Sequence, residues 1–225
     1  MNRIARAGAM LAPVLSVLFS TPAGAQEYYA KLSGFQEVGG LNNETGAILS
    51  TGQGTLKLTL DKTAQTIAYT LTYTFPLNTT TSTSAGVITT STTEVLQSHI
   101  HFGKEHVPGN IMVYFCSTAA LAPAAPAAVP PVCPVSAGTA VSVSGTLHPA
   151  DVTLKAVSQN VLGGVFDALV SALTSDTAYV NIHTAAFPGG EIRGQIHRID
   201  RHWRGPGDRG DNHVHGDDKD GGQNH

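Results

Sequence analysis

At 225 residues, with 24 glycines, 13% charged residues and only 6% aromatics, the chain has the size and makeup of one β-rich domain plus extensions. Its formal net charge of −3 comes with no basic stripe, which excludes nucleic acid as a partner on electrostatic grounds. No G-x-S-x-G elbow, phosphate-binding glycine loop or paired carboxylates occur, so the common hydrolytic and nucleotide-using chemistries have no machinery to work with.

Arg3 and Arg6, an apolar run from Ala9 to Phe19, and the small trio Ala23-Gly24-Ala25 read in that order as a secretory signal peptide over 1–25, cut before Gln26. The apolar run of about a dozen residues is short of the roughly 20 that a membrane span needs. The mature chain is therefore expected without a membrane span, secreted or periplasmic. From there a period of two dominates. Tyr28 to Phe35 alternates loosely and ends in a turn at Gln36–Gly40. Gly54 to Leu60 and Ile67 to Phe75 alternate cleanly about a turn at Asp61-Lys62-Thr63, which predicts a hairpin. Residues 78–93 are almost wholly threonine and serine and are expected to form a surface loop.

Further strands are predicted over Val95–Phe102, Asn110–Cys116, Thr139–Leu147, Tyr179–Thr184 and Glu191–Ile199. The Ala/Pro-rich stretch from Ala119 to Pro134 cannot hold a sheet. It lies within the span closed by the only two cysteines, Cys116 and Cys133, which in an oxidising compartment are expected to pair. Apolar residues at Val165, Phe166, Leu169, Val170 and Leu173 have helical spacing, so one short helix is predicted over Leu162–Leu173. The domain is expected to occupy 26–200. Residues 201–225 carry Gly, Asp, Arg and His with almost nothing to bury, and are expected to be disordered. His202, His213, His215 and His225 lie there among aspartates, either as a loose metal-holding tract or as a solvated end.

Four short motifs stand in order: Leu32-Ser33-Gly34-Phe35-Gln36-Glu37-Val38, Ser98-His99-Ile100-His101-Phe102-Gly103, Tyr179-Val180-Asn181-Ile182-His183-Thr184, and Pro188-Gly189-Gly190-Glu191-Ile192-Arg193-Gly194-Gln195. The set resembles the CHRD (chordin-type) domain family, whose pattern runs L-x-G-x-x-E-V, H-I-H-x-G, Y-V-N-x-H-T and P-x-G-E-I-R-G-Q. It extends over nearly all of Tyr28 to Ile199. The resemblance implies an all-β, extracytoplasmic fold, an immunoglobulin-like or Greek-key β-sandwich or barrel. It brings no established activity, so function rests on the residues.

Strand alternation puts His99 and His101 on one face, opposite Ile100 and Phe102. By the same rule Tyr179, Asn181 and His183 oppose Val180 and Ile182, and Glu191, Arg193, Gln195 and His197 oppose Ile192 and Ile196. Each motif strand is expected to bury its aliphatic side and turn its polar side to solvent. If the strands are neighbours, His99, His101, His183 and His197 share that outer face, with Glu191 and Arg193 close by. An H-x-H pair on one strand and a third His from another can ligate copper or zinc. The layout resembles that of copper-zinc superoxide dismutase, without the further His and Asp cluster that bridges a second metal there. Glu37 either pairs with Arg193 or a backbone amide or stands as an exposed turn acid. Three readings follow: a non-enzymatic binding module with a His-based metal site; a structural domain, with the histidines as hydrogen-bonded scaffolding, that binds an extracellular or periplasmic protein partner; and a dismutase-type redox enzyme.

Overall fold

The computed structural model describes residues 24–38, 46–76, 80–83, 86–89, 94–123 and 128–199, so residues 201–225 and nearly all of the expected export signal lie outside the described residues. The alternating segments become strands β1 (Gln26–Ser33), β2 (Gln53–Asp61), β3 (Thr66–Thr74), β4 (Thr80–Thr83), β5 (Gly86–Thr89), β6 (Val95–Phe102), β7 (Asn110–Ser117), β8 (Val141–Leu147), β9 (Ala178–Thr184), β10 (Ile192–Gln195) and β11 (His197–Arg198). One α-helix, α1 (Phe166–Thr174), precedes β9.

All strands but β4 and β5 form one antiparallel sheet in the order β7-β6-β9-β10-β1-β2-β3-β8, with β11 also on β1. β10 returns from late in the chain to lie beside β1, which gives the Greek-key arrangement β10-β1-β2-β3. The sheet curls into a nearly closed barrel. Where its ends approach, the Tyr69 ring of β3 packs on Phe115 of β7 with centroids 4.6 Å apart, and its hydroxyl donates to the Phe115 carbonyl at 3.4 Å. The Thr153 amide and hydroxyl donate to the carbonyls of Met112 and Ile111, which covers the free edge of β7. Inside, Leu32, Leu56, Leu58, Leu60, Ile67, Leu71, Ile100, Val180, Ile182 and Ile192 are fully buried, the aliphatic halves of the alternating strands. Helix α1 adds Phe166, Leu169, Ala172 and Leu173 to the same core.

Two segments differ from expectation. The helix starts at Phe166 rather than Leu162, because Gly163 and Gly164 intervene and Gly164 takes a φ of +79° that no helix uses. Within 78–93, β4 and β5 pair as a small hairpin, with Thr80 opposite Thr89 and Thr83 opposite Gly86. Threonine is β-branched, and a run of it favours extended backbone even where composition looks like loop.

Cys116 and Cys133 are joined, which ties the end of β7 to the Ala/Pro-rich segment. Ser117 reinforces the tie by donating its amide to the Pro131 carbonyl at 2.9 Å. Replacing both cysteines with serine should cost about 2–4 kcal/mol, because the crosslink restrains a short loop in the unfolded chain while the barrel strands lie largely outside it. Urea denaturation of the two forms checks this; a midpoint unchanged by the double substitution contradicts it. Among the described residues no helix is long and apolar enough to cross a membrane.

Candidate metal centre on the covered face of the barrel

β9 lies between β6 and β10, so their outward side chains form one continuous row. Across β6 and β9, His99 faces Asn181 and His101 faces Tyr179; across β9 and β10, Arg193 faces Asn181 and Gln195 faces Tyr179. Alternation thus sorts the faces as expected, but the polar face does not meet solvent. His99 is 0% exposed, His101 9% and His183 8%, and every residue of β9 and β10 is buried. The reason lies in the loops. Residues 103–109 fold over the sheet, held by Arg193 Nη2 donating to the carbonyls of Lys104 and Val107 and by Gln195 Nε2 donating to that of Gly103. The Gly109 amide donates to the Tyr179 hydroxyl. The turn after β9 covers His183, and the segment after β1 brings Glu37 against Asn181.

Under this cover His99, His101 and His183 converge. Their ring centroids lie 4.5 Å (His99–His101) and 4.6 Å (His99–His183) apart, and one ring nitrogen from each lies within 4.8 Å of the others. Against β9, β6 runs in unbroken register from Gln97 to Phe102, and the two shifts in its pairing with β7 each come from an extra β7 residue, Phe115 and Met112. His101 Nδ1 meets the Gly109 carbonyl and His183 Nδ1 meets that of Pro188, both at 2.8 Å. A carbonyl only accepts, so each Nδ1 carries the proton and each Nε2 is left as a lone pair. Neither Nε2 has a partner, and neither nitrogen of His99 has one beyond its own residue. Burial holds the His101 imidazole down at about 3, the His183 imidazole at about 4 and His99 well below the usual imidazole range, so all three are neutral at pH 7. Tyr114, opposite His99 on β7, sets its ring edge-on to that imidazole at 5.2 Å. Tyr179 stacks on His101 at 4.6 Å, and the Arg193 guanidinium lies 3.5 Å over the same ring from the β10 side.

The remaining expected site residues divide. His197 does not join the cluster. Alternation still holds, with Ile196 in the core, but Gln195 already faces Tyr179 near the start of β9, so His197 lies beyond the end of that strand, exposed on β11 at 3.6 Å from Asp176. Glu37 is neither an exposed turn acid nor a partner in an ion pair: it accepts from the Val38 amide and, through both oxygens, from Asn181 Nδ2 at 2.9 and 2.8 Å. Burial pushes its carboxyl up to about 7 against the opposing pull of Val38, Arg193 and Asn181. Glu191 accepts from the hydroxyls of Ser50 at 2.6 Å and Thr184 at 2.5 Å, pinning the segment before β2 to the end of β9. Replacing Glu191 with alanine should cost about 3 kcal/mol, since two buried hydroxyls lose their acceptor, and glutamine should cost less. Denaturant midpoints of the two variants test this ranking, which fails if both match the wild type. Ser50 and Tyr114 were missed by the sequence reading: one lies in an irregular segment, the other in a strand with no polar neighbour to flag it.

Residues 28–196 match the family model described as the CHRD domain. Searches of curated proteins and of solved structures find no match.

Proposed function

Since the chain belongs to the CHRD domain family, matched over residues 28–196, we propose that it is an exported, non-enzymatic binding module that holds one copper or zinc ion between His99, His101 and His183. One observation carries the reading: four buried imidazole nitrogens in a single cluster have no hydrogen-bond partner. Buried polar atoms are nearly always bonded, and each one left unmade costs about 1–3 kcal/mol. Neutral imidazoles gathered at one point offer one lone pair each with no donor to meet it, and a single cation takes up all three, leaving over only the second nitrogen of His99.

The donor set suits the group. Copper and zinc both favour imidazole nitrogen, and a ligating histidine ordinarily donates its other N–H to a carbonyl, as His101 and His183 do. Zinc–nitrogen bonds of about 2.0–2.1 Å require the rings to close inward from their present separation. Export is supported by the N-terminal pattern and by the joined cysteines, which persist in oxidising compartments. A second reading, a structural or protein-binding domain with histidine scaffolding, is favoured by the two Nδ1 bonds to loop carbonyls, but it leaves the Nε2 atoms unexplained.

The test is the metal content of full-length protein purified without a histidine tag, set against its His183→Ala variant. The wild type is expected to retain about one more ion per chain than the variant. Equal content in the two favours the scaffold reading.

A further inference from the structure

Two anomalies lie side by side on the covered face. The first is Glu37, a carboxyl group only 2% exposed with no lysine, arginine or histidine at ion-pair distance among the described residues. Arg193 is close enough for its charge to be felt, its Nη2 bound to two loop carbonyls and its Nη1 buried with no partner, but it stands beyond ion-pair distance. The seat for this acid is built in: Gly190 has a φ of +130°, and a Cβ there would lie 2.7 Å from Asn181 Nδ2 and 2.8 Å from Glu37 Cδ and Oε2. A buried acid without a counter-ion is costly. The second anomaly is His99. His101 and His183 each have a loop carbonyl to take the proton of the nitrogen that does not face the cluster, whereas His99 has none outside its own residue. Asn181, its cross-strand neighbour, gives both of its Nδ2 contacts to Glu37 and has a buried Oδ1 with no partner.

We infer that Glu37 and Asn181 form the outer layer of the three-histidine site. Ionised Glu37 balances the charge of the bound cation, and by holding the amide of Asn181 it presents Oδ1 as the acceptor that orients His99. Once His99 ligates through one nitrogen, the other carries a proton and needs an acceptor. Asn181 Oδ1 is a buried acceptor on the adjoining strand with no other duty. The two residues are positioning residues, and the inference rests on the metal reading above.

The test uses zinc and the full chain, by competition against a chromophoric chelator and by calorimetry in buffers of different ionisation enthalpy. Glu37→Gln and Asn181→Ser are each expected to weaken zinc binding about 10-fold or more, the scale on which outer-layer partners of metal ligands act. Glu37→Asp should restore part of the loss. Burial raises the Glu37 carboxyl to about 7, so in the metal-free protein it holds part of a proton near neutral pH. Wild type should therefore release more protons per zinc than Glu37→Gln, a readout that a merely structural role does not move. If Glu37→Gln does not fold, Asn181→Ser carries the affinity test, since it removes Oδ1 and leaves the acid in place. Variants that bind zinc with unchanged affinity and proton release overturn the outer-layer role and leave the metal site standing. Wild type and His183→Ala binding zinc equally overturns the metal site itself, and this inference with it.

Discussion

Lowering the pH of the metal-free protein from 7 to 4 should remove roughly 3 kcal/mol or more of folding stability. Unfolded imidazoles take up protons as the pH falls below about 6.5. The folded ones do not, because burial holds His101 at about 3, His183 at about 4 and His99 well below the usual range. The unfolded state then binds more protons, so stability is complete above pH 6.5 and declines from there toward the folded values. Glu37 works in the opposite direction. Its carboxyl, at about 7 in the fold against 4.5 in the unfolded chain, is protonated first in the folded state and adds stability as the pH falls between those values. Three histidines outweigh one acid, and the net loss is a large part of the 5–15 kcal/mol typical of a domain. Urea midpoints at pH 7, 5.5 and 4 check this, and His183→Ala should flatten the dependence. A midpoint that holds steady to pH 4 contradicts the buried, neutral cluster.

Much of the barrel was legible because half-buried strands announce themselves: Val95–Phe102 was read with its exact bounds, and the hairpin of β2 and β3 to within a residue or two. The grouping of His99, His101 and His183 was legible too, since alternation fixes which side chains share a face and the motif strands proved to be neighbours. What alternation does not encode is the cover over a face. The loops that bury the histidines are irregular, and their hold depends on single contacts such as Arg193 to the Lys104 and Val107 carbonyls. His197 was misplaced for a related reason: a period of two gives the face but not the level along the strand, and His197 lies past the start of β9, beside Asp176. The β7 bulges at Phe115 and Met112 likewise leave no trace in a pattern that reads as unbroken.

Replacing any one of His99, His101 and His183 with alanine should lower zinc or copper affinity by roughly 100-fold or more, because each supplies a third of the ligand set and none has a substitute in the covered face. His183→Ala should match His99→Ala despite their distance in sequence, since β9 and β6 bring the two rings to 4.6 Å. His106→Ala and His197→Ala should change little: both are exposed and sit beside the carboxylates of Glu105 and Asp176, away from the cluster. The contrast separates a built site from loose binding by surface or tail histidines, which each of these variants retains in nearly equal number. The most direct measurement is a zinc competition titration of the full chain, wild type beside His183→Ala. A tight site near one ion per chain that vanishes in the variant is the expected result. Superimposable titrations of the two proteins would contradict the three-histidine site.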